Sequence, residues 1–308
     1  LAKNCGADFI KFQTSIPELH ISKFAEKAHY QNKNTLKKET QLEMAKKITL
    51  TYEQFKKVKK YCQKKKIEFL STPFDLKSID FLKSLNMKYF KIPSGEITNL
   101  PYLMKVGKLK KKIILSTGMS NLKEIGTALK VLIANGMLKK NITIMQCNTE
   151  YPTPLRDVNL KAMLTIKKKY DVRVGYSDHT EGIEASLAAV ALGACVIEKH
   201  ITLNKNLPGP DHKASITEKQ LKNMVEGIRK IVIAMGDGIK KVSPSEKKNI
   251  KIARNSIVAA TDIKKGEKFT KKNLGIKRPG RGISPMQLFK VIGKIARRNF
   301  NQDELIKL

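Results

Sequence analysis

Val172-Arg173-Val174-Gly175-Tyr176-Ser177-Asp178-His179 and, further on, Ala194-Cys195-Val196-Ile197-Glu198-Lys199-His200 decide how this chain folds. Each opens on a short apolar run that reads as a buried strand, and each closes on a histidine with polar company. The stretch between them, residues 183–192, is rich in Ala and Leu and reads as a helix. Together they form one βαβ unit with an imidazole at the carboxyl end of both parallel strands, where such sheets place their chemistry. Two histidines so placed can share a divalent metal whose other positions stay open. Unrelated strand-end histidines are the plainer alternative.

The same alternation runs along the chain. Asp8 to Gln13, Glu68 to Phe74, Tyr89 to Ser94, Ile113 to Gly118 and Ile142 to Cys147 are further apolar runs that end in polar residues, with helix-length segments between them. Seven strands alternating with helices imply an α/β barrel or an open doubly wound sheet. No GxGxxG or GxxxxGK[ST] follows any strand, as an open nucleotide-binding sheet would require. Polar tails on every strand favour the TIM (β/α)8 barrel, in which all strand ends converge on one mouth. Seven is one short of eight. Because the chain opens on Leu1 in what reads as the end of a helix, the expectation is a barrel lacking its first strand in this sequence.

Composition sets wider bounds. The length of 308 residues suits one large domain and a small one. No apolar run is long enough to span a bilayer, so the expected home is the cytoplasm, with no membrane contact. Cys5, Cys62, Cys147 and Cys195 lie far apart with no CxxC pair; Cys147 and Cys195 fall in expected strands and read as small buried hydrophobes of a reducing compartment. The net charge is +34, nearly all of it lysine scattered over nearly every helical stretch. A nucleic-acid site would concentrate charge with arginines and aromatics, and Trp is absent, so solvated surface is preferred over a nucleic-acid partner. The field would still draw anionic substrates. Punctuation at Gly236-Asp237-Gly238 and Ser243-Pro244-Ser245-Glu246 suggests a barrel over 1–240, a linker over 241–254 and a small, mostly β domain over 255–308.

Period-two parity puts Lys11 and Gln13 on the same side of their strand. Lys91 lies on another strand, with Ser94 and Glu96 just beyond it, and Thr72, Ser116 and Ser177 bring hydroxyls from three more. A lysine on a barrel strand is expensive to bury without an anion. Two of them ringed by hydroxyls make a seat for a phosphate and a carboxylate, facing a histidine-held metal that polarises a carbonyl. Any single hydroxyl could instead be bonded to its own backbone.

Taken in order, Lys11-Phe12-Gln13, Ser71-Thr72-Pro73-Phe74-Asp75, Lys91-Ile92-Pro93-Ser94-Gly95-Glu96, Leu115-Ser116-Thr117-Gly118-Met119, Tyr151-Pro152-Thr153-Pro154, Gly175 to Thr180, Glu198-Lys199-His200 and Pro208-Gly209-Pro210-Asp211-His212 resemble the signature segments of the sialic acid synthase family. Lys277-Arg278-Pro279-Gly280, followed by Gly282-Ile283-Ser284, resembles its closing antifreeze-like (SAF) domain. The resemblance spans essentially the whole chain. It implies condensation of phosphoenolpyruvate (PEP) with an N-acetylated hexosamine, such as N-acetylmannosamine or a bacillosamine-derived 2,4-diacetamido sugar, to give a nine-carbon acidic sugar and phosphate.

Carried over residue by residue, the resemblance implies that Lys11, Thr72, Lys91, Ser94, Ser116 and Ser177 hold PEP. It assigns Gln13, Glu96, Tyr151, Asp211 and Arg278 to the sugar, and His179 and His200 to Mn²⁺, or alternatively Mg²⁺ or Co²⁺. Lys11, Lys91 and Tyr151 are the candidate catalytic groups, and Glu198 a supporting one. Arg278 would reach the partner subunit's barrel in a domain-swapped homodimer. Thr149 stands where some members carry Asn. C3 of PEP would attack the aldehyde, positive charge would develop at C2, and water addition there would expel phosphate with C–O cleavage. A glutamate on the family's first strand assists that addition, so the chain as written is expected to be impaired. The alternatives are a phosphorylated acceptor, for which no arginine cluster is evident, and a non-catalytic carbohydrate-binding or nucleic-acid-binding protein.

Overall fold

Strand-length apolar runs and capped helical stretches alternate from the start of the chain, and the elements follow that alternation. In a computed structural model, which describes residues 1–36 and 38–308, seven parallel strands come first: β1 (Phe9–Thr14), β2 (Glu68–Pro73), β3 (Tyr89–Ile92), β4 (Lys112–Ser116), β5 (Ile142–Cys147), β6 (Arg173–Asp178) and β7 (Ile197–Lys199). Between β1 and β2 lie α1 (His29–Asn34), α2 (Gln41–Ile48) and α3 (Tyr52–Lys64). Single helices then separate the strands: α4 (Leu76–Ser84), α5 (Leu100–Gly107), α6 (Leu122–Ala134), α7 (Lys161–Tyr170) and α8 (Glu184–Ala191), with α9 (Glu218–Met235) after β7. Thr40, Thr51 and Asn121 start α2, α3 and α6 with capping boxes completed by Glu43, Gln54 and Glu124, so the first free N–H groups of these helices find acceptors.

β1 pairs with β2, and β3 to β7 pair in sequence order, all parallel. This is the expected α/β barrel architecture, with seven strands among the described residues. Strand parity divides the side chains. Phe69, Phe90, Ile92, Ile113, Leu115, Ile142, Ile144, Val174 and Tyr176 face the helices and form the main core. On the other face, Leu70, Ile114 and Met145 make a small apolar layer of their own. Two residues further along β2 and β4 that same face presents Thr72 and Ser116, and β3, β6 and β7 add Lys91, Ser177 and Glu198. The interior is therefore apolar at the amino end of the barrel and polar at the carboxyl end.

Behind the polar layer lies a buried ion pair. Asp178 and Lys199 are register partners on β6 and β7 whose side chains point away from the barrel axis. The Lys199 Nζ lies 3.0 Å from Asp178 Oδ2 and donates to the Thr180 carbonyl at 2.6 Å. Asp178 also accepts from the Thr180 N–H at 2.9 Å, the Thr180 hydroxyl at 2.8 Å and the Ser186 hydroxyl at 2.6 Å. Burial holds Lys199 below the ordinary lysine range, with Asp178 opposing the fall.

Two expectations need correction. β7 begins at Ile197 and runs on through Glu198 and Lys199, rather than spanning Ala194–Ile197. Its polar residues have buried partners and so tolerate a strand position. Cys195 consequently lies outside the strand and is exposed, whereas Cys5, Cys62 and Cys147 are buried, and all four are free.

Residues 1–236 form one compact unit and residues 237–308 a second. Here α10 (Lys247–Ala253) precedes an antiparallel pair, β8 (Ser256–Ala259) and β9 (Leu274–Lys277), and α11 (Leu288–Val291) follows. Ile257, Ile263, Phe269, Val291, Phe300 and Ile306 make its own core. Among the described residues no helix is long and apolar enough to cross a membrane. Replacing Asp178 with Ala leaves the Lys199 ammonium buried and unpaired, which should cost about 3–5 kcal/mol of stability. Urea unfolding monitored by circular dichroism measures this, and a loss below about 1 kcal/mol would show that the pair is not structural.

Candidate active site

The carboxyl ends of the strands bring Lys11, Lys91 and Glu198 together. Lys11 Nζ lies 3.6 Å from one oxygen of Glu198, and Lys91 Nζ lies 3.5 Å from the other. Lys91 also donates to the Ser116 hydroxyl at 2.7 Å, and Ser177 donates to Glu198 at 3.1 Å. Burial drives Lys91 below the usual lysine range, opposed by Glu198 and reinforced by the charge of Lys11. Burial also resists ionisation of Glu198, but Lys11 and Lys91, then His200 and His179, pull its carboxyl well below the ordinary range. The Thr72 hydroxyl is buried nearby on β2 with no protein partner. A cationic pocket lined by hydroxyls is thus built as the parity of Lys11, Thr72, Lys91, Ser116 and Ser177 implied. Glu198, read only as support, lies at its centre.

The imidazoles stand next to it. Their ring centres are 5.4 Å apart with planes at 86°. His179 Nδ1–H donates to the Asn148 carbonyl at 2.5 Å, which fixes the tautomer and leaves a lone pair on Nε2. Ser177 has a single proton for two acceptors, Glu198 at 3.1 Å and His179 Nε2 at 3.3 Å. The nearer, charged carboxylate is the stronger acceptor, so the Nε2 lone pair remains available. His200 Nδ1 lies 3.5 Å from Asp211, whose other carboxylate oxygen is buried with no partner. Burial lowers His179 to about 4 and His200 to about 3, the latter helped by the charge of Lys11. Two neutral imidazoles, one anchored through Nδ1, fit the donor set of a divalent ion. Among the described residues no group of three or more His, Cys, Asp or Glu has metal-binding spacing, so such an ion would need solvent or substrate oxygen to complete its shell.

Tyr151 stacks on His179, ring centres 4.1 Å apart, and is tilted against His200 at 5.4 Å. Ser94 accepts from the Gly118 N–H at 3.0 Å and sits 3.3 Å from the Cys147 thiol. A Cβ at Gly118 would come within 2.6 Å of Thr149 and 2.9 Å of the Ser94 hydroxyl, so only glycine lets these segments meet. Gln13 is exposed at the end of β1, and Glu96 accepts from Asn99 at 2.6 Å, its carboxyl raised by burial. Neither makes a direct contact with the lysines or histidines. Arg278 is exposed, just past β9 in the C-terminal unit. Sequence reasoning missed the Asn148 carbonyl that orients His179, and Tyr30, which stacks on Tyr151 at 5.0 Å. The six-residue helix carrying Tyr30 is too short to give a periodic signal.

These environments set a pH dependence. In the unfolded chain the two histidines take up protons near pH 6.5, while in the fold they stay neutral down to about 4 and 3. The unfolded state therefore binds more protons below 6.5, and stability falls as the solution is acidified through that window. Glu198, held ionised, adds to the loss at still lower pH. The melting temperature should decline steadily from pH 6.5 towards 4, and a His179→Gln, His200→Gln double variant should show a shallower decline. Identical slopes for the two proteins would remove the imidazoles from this account.

Comparison with known proteins identifies the family. The NeuB family model matches residues 1–240, and the SAF domain model matches residues 254–308. The chain is 57% identical over 307 residues to the N,N'-diacetyllegionaminic acid synthase of Campylobacter jejuni, covering 100% of this chain and 92% of that one. The protein of the same name from Legionella pneumophila is 43% identical, over 95% and 83% of the two chains. Among solved structures, the N-acetylneuraminic acid synthetase of Leptospira borgpetersenii, in complex with citrate, superposes with a TM-score of 0.71 at 32% identity over 81% of each chain. The chain belongs to the NeuB family, the sialic acid synthases.

Proposed function

We propose that this enzyme condenses PEP with an N-acetylated hexosamine, either N-acetylmannosamine or a bacillosamine-derived 2,4-diacetamido sugar, giving a sialic-acid-type product and phosphate. The observation that carries this reading is the buried Lys11–Glu198–Lys91 group facing two neutral imidazoles across one mouth. The Campylobacter relative, named for a diacetylated acid, favours the diacetamido acceptor.

Lys11 and Lys91 supply the positive charge for the phosphate and carboxylate of PEP, with the Thr72, Ser94, Ser116 and Ser177 hydroxyls as further partners. His179 and His200 would hold Mn²⁺, or alternatively Mg²⁺ or Co²⁺, which when bound draws electron density from the aldehyde oxygen of the open-chain sugar. Gln13, Glu96, Tyr151 and Asp211 meet the hydroxyls of that sugar, and Arg278 of the partner subunit meets its N-acyl group in a swapped homodimer. As C3 of PEP bonds to the aldehyde carbon, positive charge grows at C2. The Glu198 carboxylate, ionised in a dry site, stabilises that charge without reorganising. Water then adds at C2, and phosphate leaves with cleavage of its C–O bond. Four free cysteines suit a reducing cytoplasm.

Phosphate release from PEP, measured with each acceptor and each metal, tests the assignment. Turnover should require both substrates, vanish with EDTA and return with Mn²⁺. Lys91→Met should lower kcat/KM about a hundredfold or more, since it leaves Glu198 short of a buried partner. Carbohydrate binding without phosphate release under any condition would instead identify a non-catalytic protein.

A further inference from the structure

The short helix α1 is held against the mouth by contacts that its own sequence does not need. It has six residues, none of them buried, too few to be stable alone. Two sets of tethers fix it. On its amino side the nearly buried Lys27 Nζ donates to the Leu36 carbonyl at 2.6 Å and the Thr35 hydroxyl at 3.1 Å, and lies 3.9 Å from Glu39. On its carboxyl side Asn34 Nδ2 donates to the Pro210 carbonyl at 2.8 Å, beside Asp211. Together these tethers hold Tyr30 in place. Its ring lies over Tyr151, centres 5.0 Å apart and planes within 28°. Partial burial raises the Tyr30 phenol, and the negative charge of Asp211 raises it further.

His179, Tyr151 and Tyr30 thus form a three-ring stack leading outward from the imidazole pair. The following step rests on the function proposed above, which sets the acceptor's aldehyde carbon at the imidazoles. A six-carbon chain extending from there spans about 6 Å, at roughly 1.2 Å per bond. Laid along the stack, its last carbons pass Tyr151 and approach the outermost ring. We infer that Tyr30 is a specificity-determining residue: an aromatic wall that reads the substituents on carbons 4 to 6 of the acceptor. A phenol face gains from apolar contact and offers nothing in place of water to a hydroxymethyl group. It therefore favours an acetamido group at carbon 4 and a methyl at carbon 6 over hydroxyls at both positions. Asn34 positions the wall by tying α1 to the loop that carries Asp211.

The test is a pair of acceptors, 2,4-diacetamido-2,4,6-trideoxymannose and N-acetylmannosamine, assayed for phosphate release with the full chain and its variants. Tyr30→Ala should lower kcat/KM for the diacetamido sugar about tenfold to a hundredfold, the range for lost apolar contact in a pocket. The value for N-acetylmannosamine should fall by a smaller factor, so that the ratio between the two acceptors changes, and the KM for PEP should not move. Tyr30→Phe, which keeps the ring, should retain the preference, and Asn34→Ala should shift it in the direction of Tyr30→Ala. Equal losses on both acceptors, or no loss on either, would overturn the inference while leaving the proposed reaction intact. Failure of the unmodified protein with both acceptors would overturn the reaction itself, and this inference with it.

Discussion

Glu198 is what allows two ammonium groups to coexist inside the barrel. Removing an ion from water costs several kcal/mol even after the protein relaxes. A buried lysine without an anion tends to shed its proton instead. Lys91 is already pushed that way by burial and by the charge of Lys11. The carboxylate 3.5–3.6 Å from both ammonium groups opposes that push on Lys91, and the two lysines hold its own pKa down. The three groups form one electrostatic unit. Its net charge is positive, so an entering phosphate finds an attraction that is paid for at folding rather than at binding.

The barrel supplies the geometry through strand parity. On β6, Ser177 and His179 face the axis while Asp178 between them faces outward, and β7 repeats the arrangement with Glu198, Lys199 and His200. The inward residues do the proposed chemistry, and the outward ones join through the Asp178–Lys199 pair. A single ladder register therefore sets both the catalytic face and its support. Slipping β7 by one residue would turn Lys199 inward and Glu198 outward, breaking both at once.

That parity is also why much of the site was legible in advance. Lys11, Thr72, Lys91, Ser116 and Ser177 stand at or beside the ends of apolar runs, and period two alone assigns them to one side. The histidines were equally plain, because each closes a short polar segment that follows an apolar run. The limits of β7 were harder to read, since Glu198 and Lys199 look like loop residues until their buried partners are known. Cys195 was misread for the same reason. Tyr30 had no signal at all: its contact with Tyr151 joins a short helix and a loop over 100 residues apart in sequence, and no local pattern encodes such a meeting. Gln13 and Glu96 rest on the family resemblance alone, because neither makes a direct contact with the buried lysines or histidines.

Burial acts oppositely on the two kinds of base in this cavity. It disfavours the charged form of both. For Lys91 the charge of Glu198 opposes the effect of burial, while the histidines lie where the charge of Lys11 adds to it, and they are left neutral. One side of the mouth therefore carries fixed positive charge, and the other carries lone pairs. A phosphate-bearing enol and an aldehyde differ in the same sense, since one is an anion and the other a weak neutral electrophile. Exchanging their positions would set the anion against uncharged imidazoles and the carbonyl against ammonium groups already engaged by a carboxylate. For the proposed reaction, the charge asymmetry would select one orientation of the two reactants before any contact with the sugar hydroxyls is made.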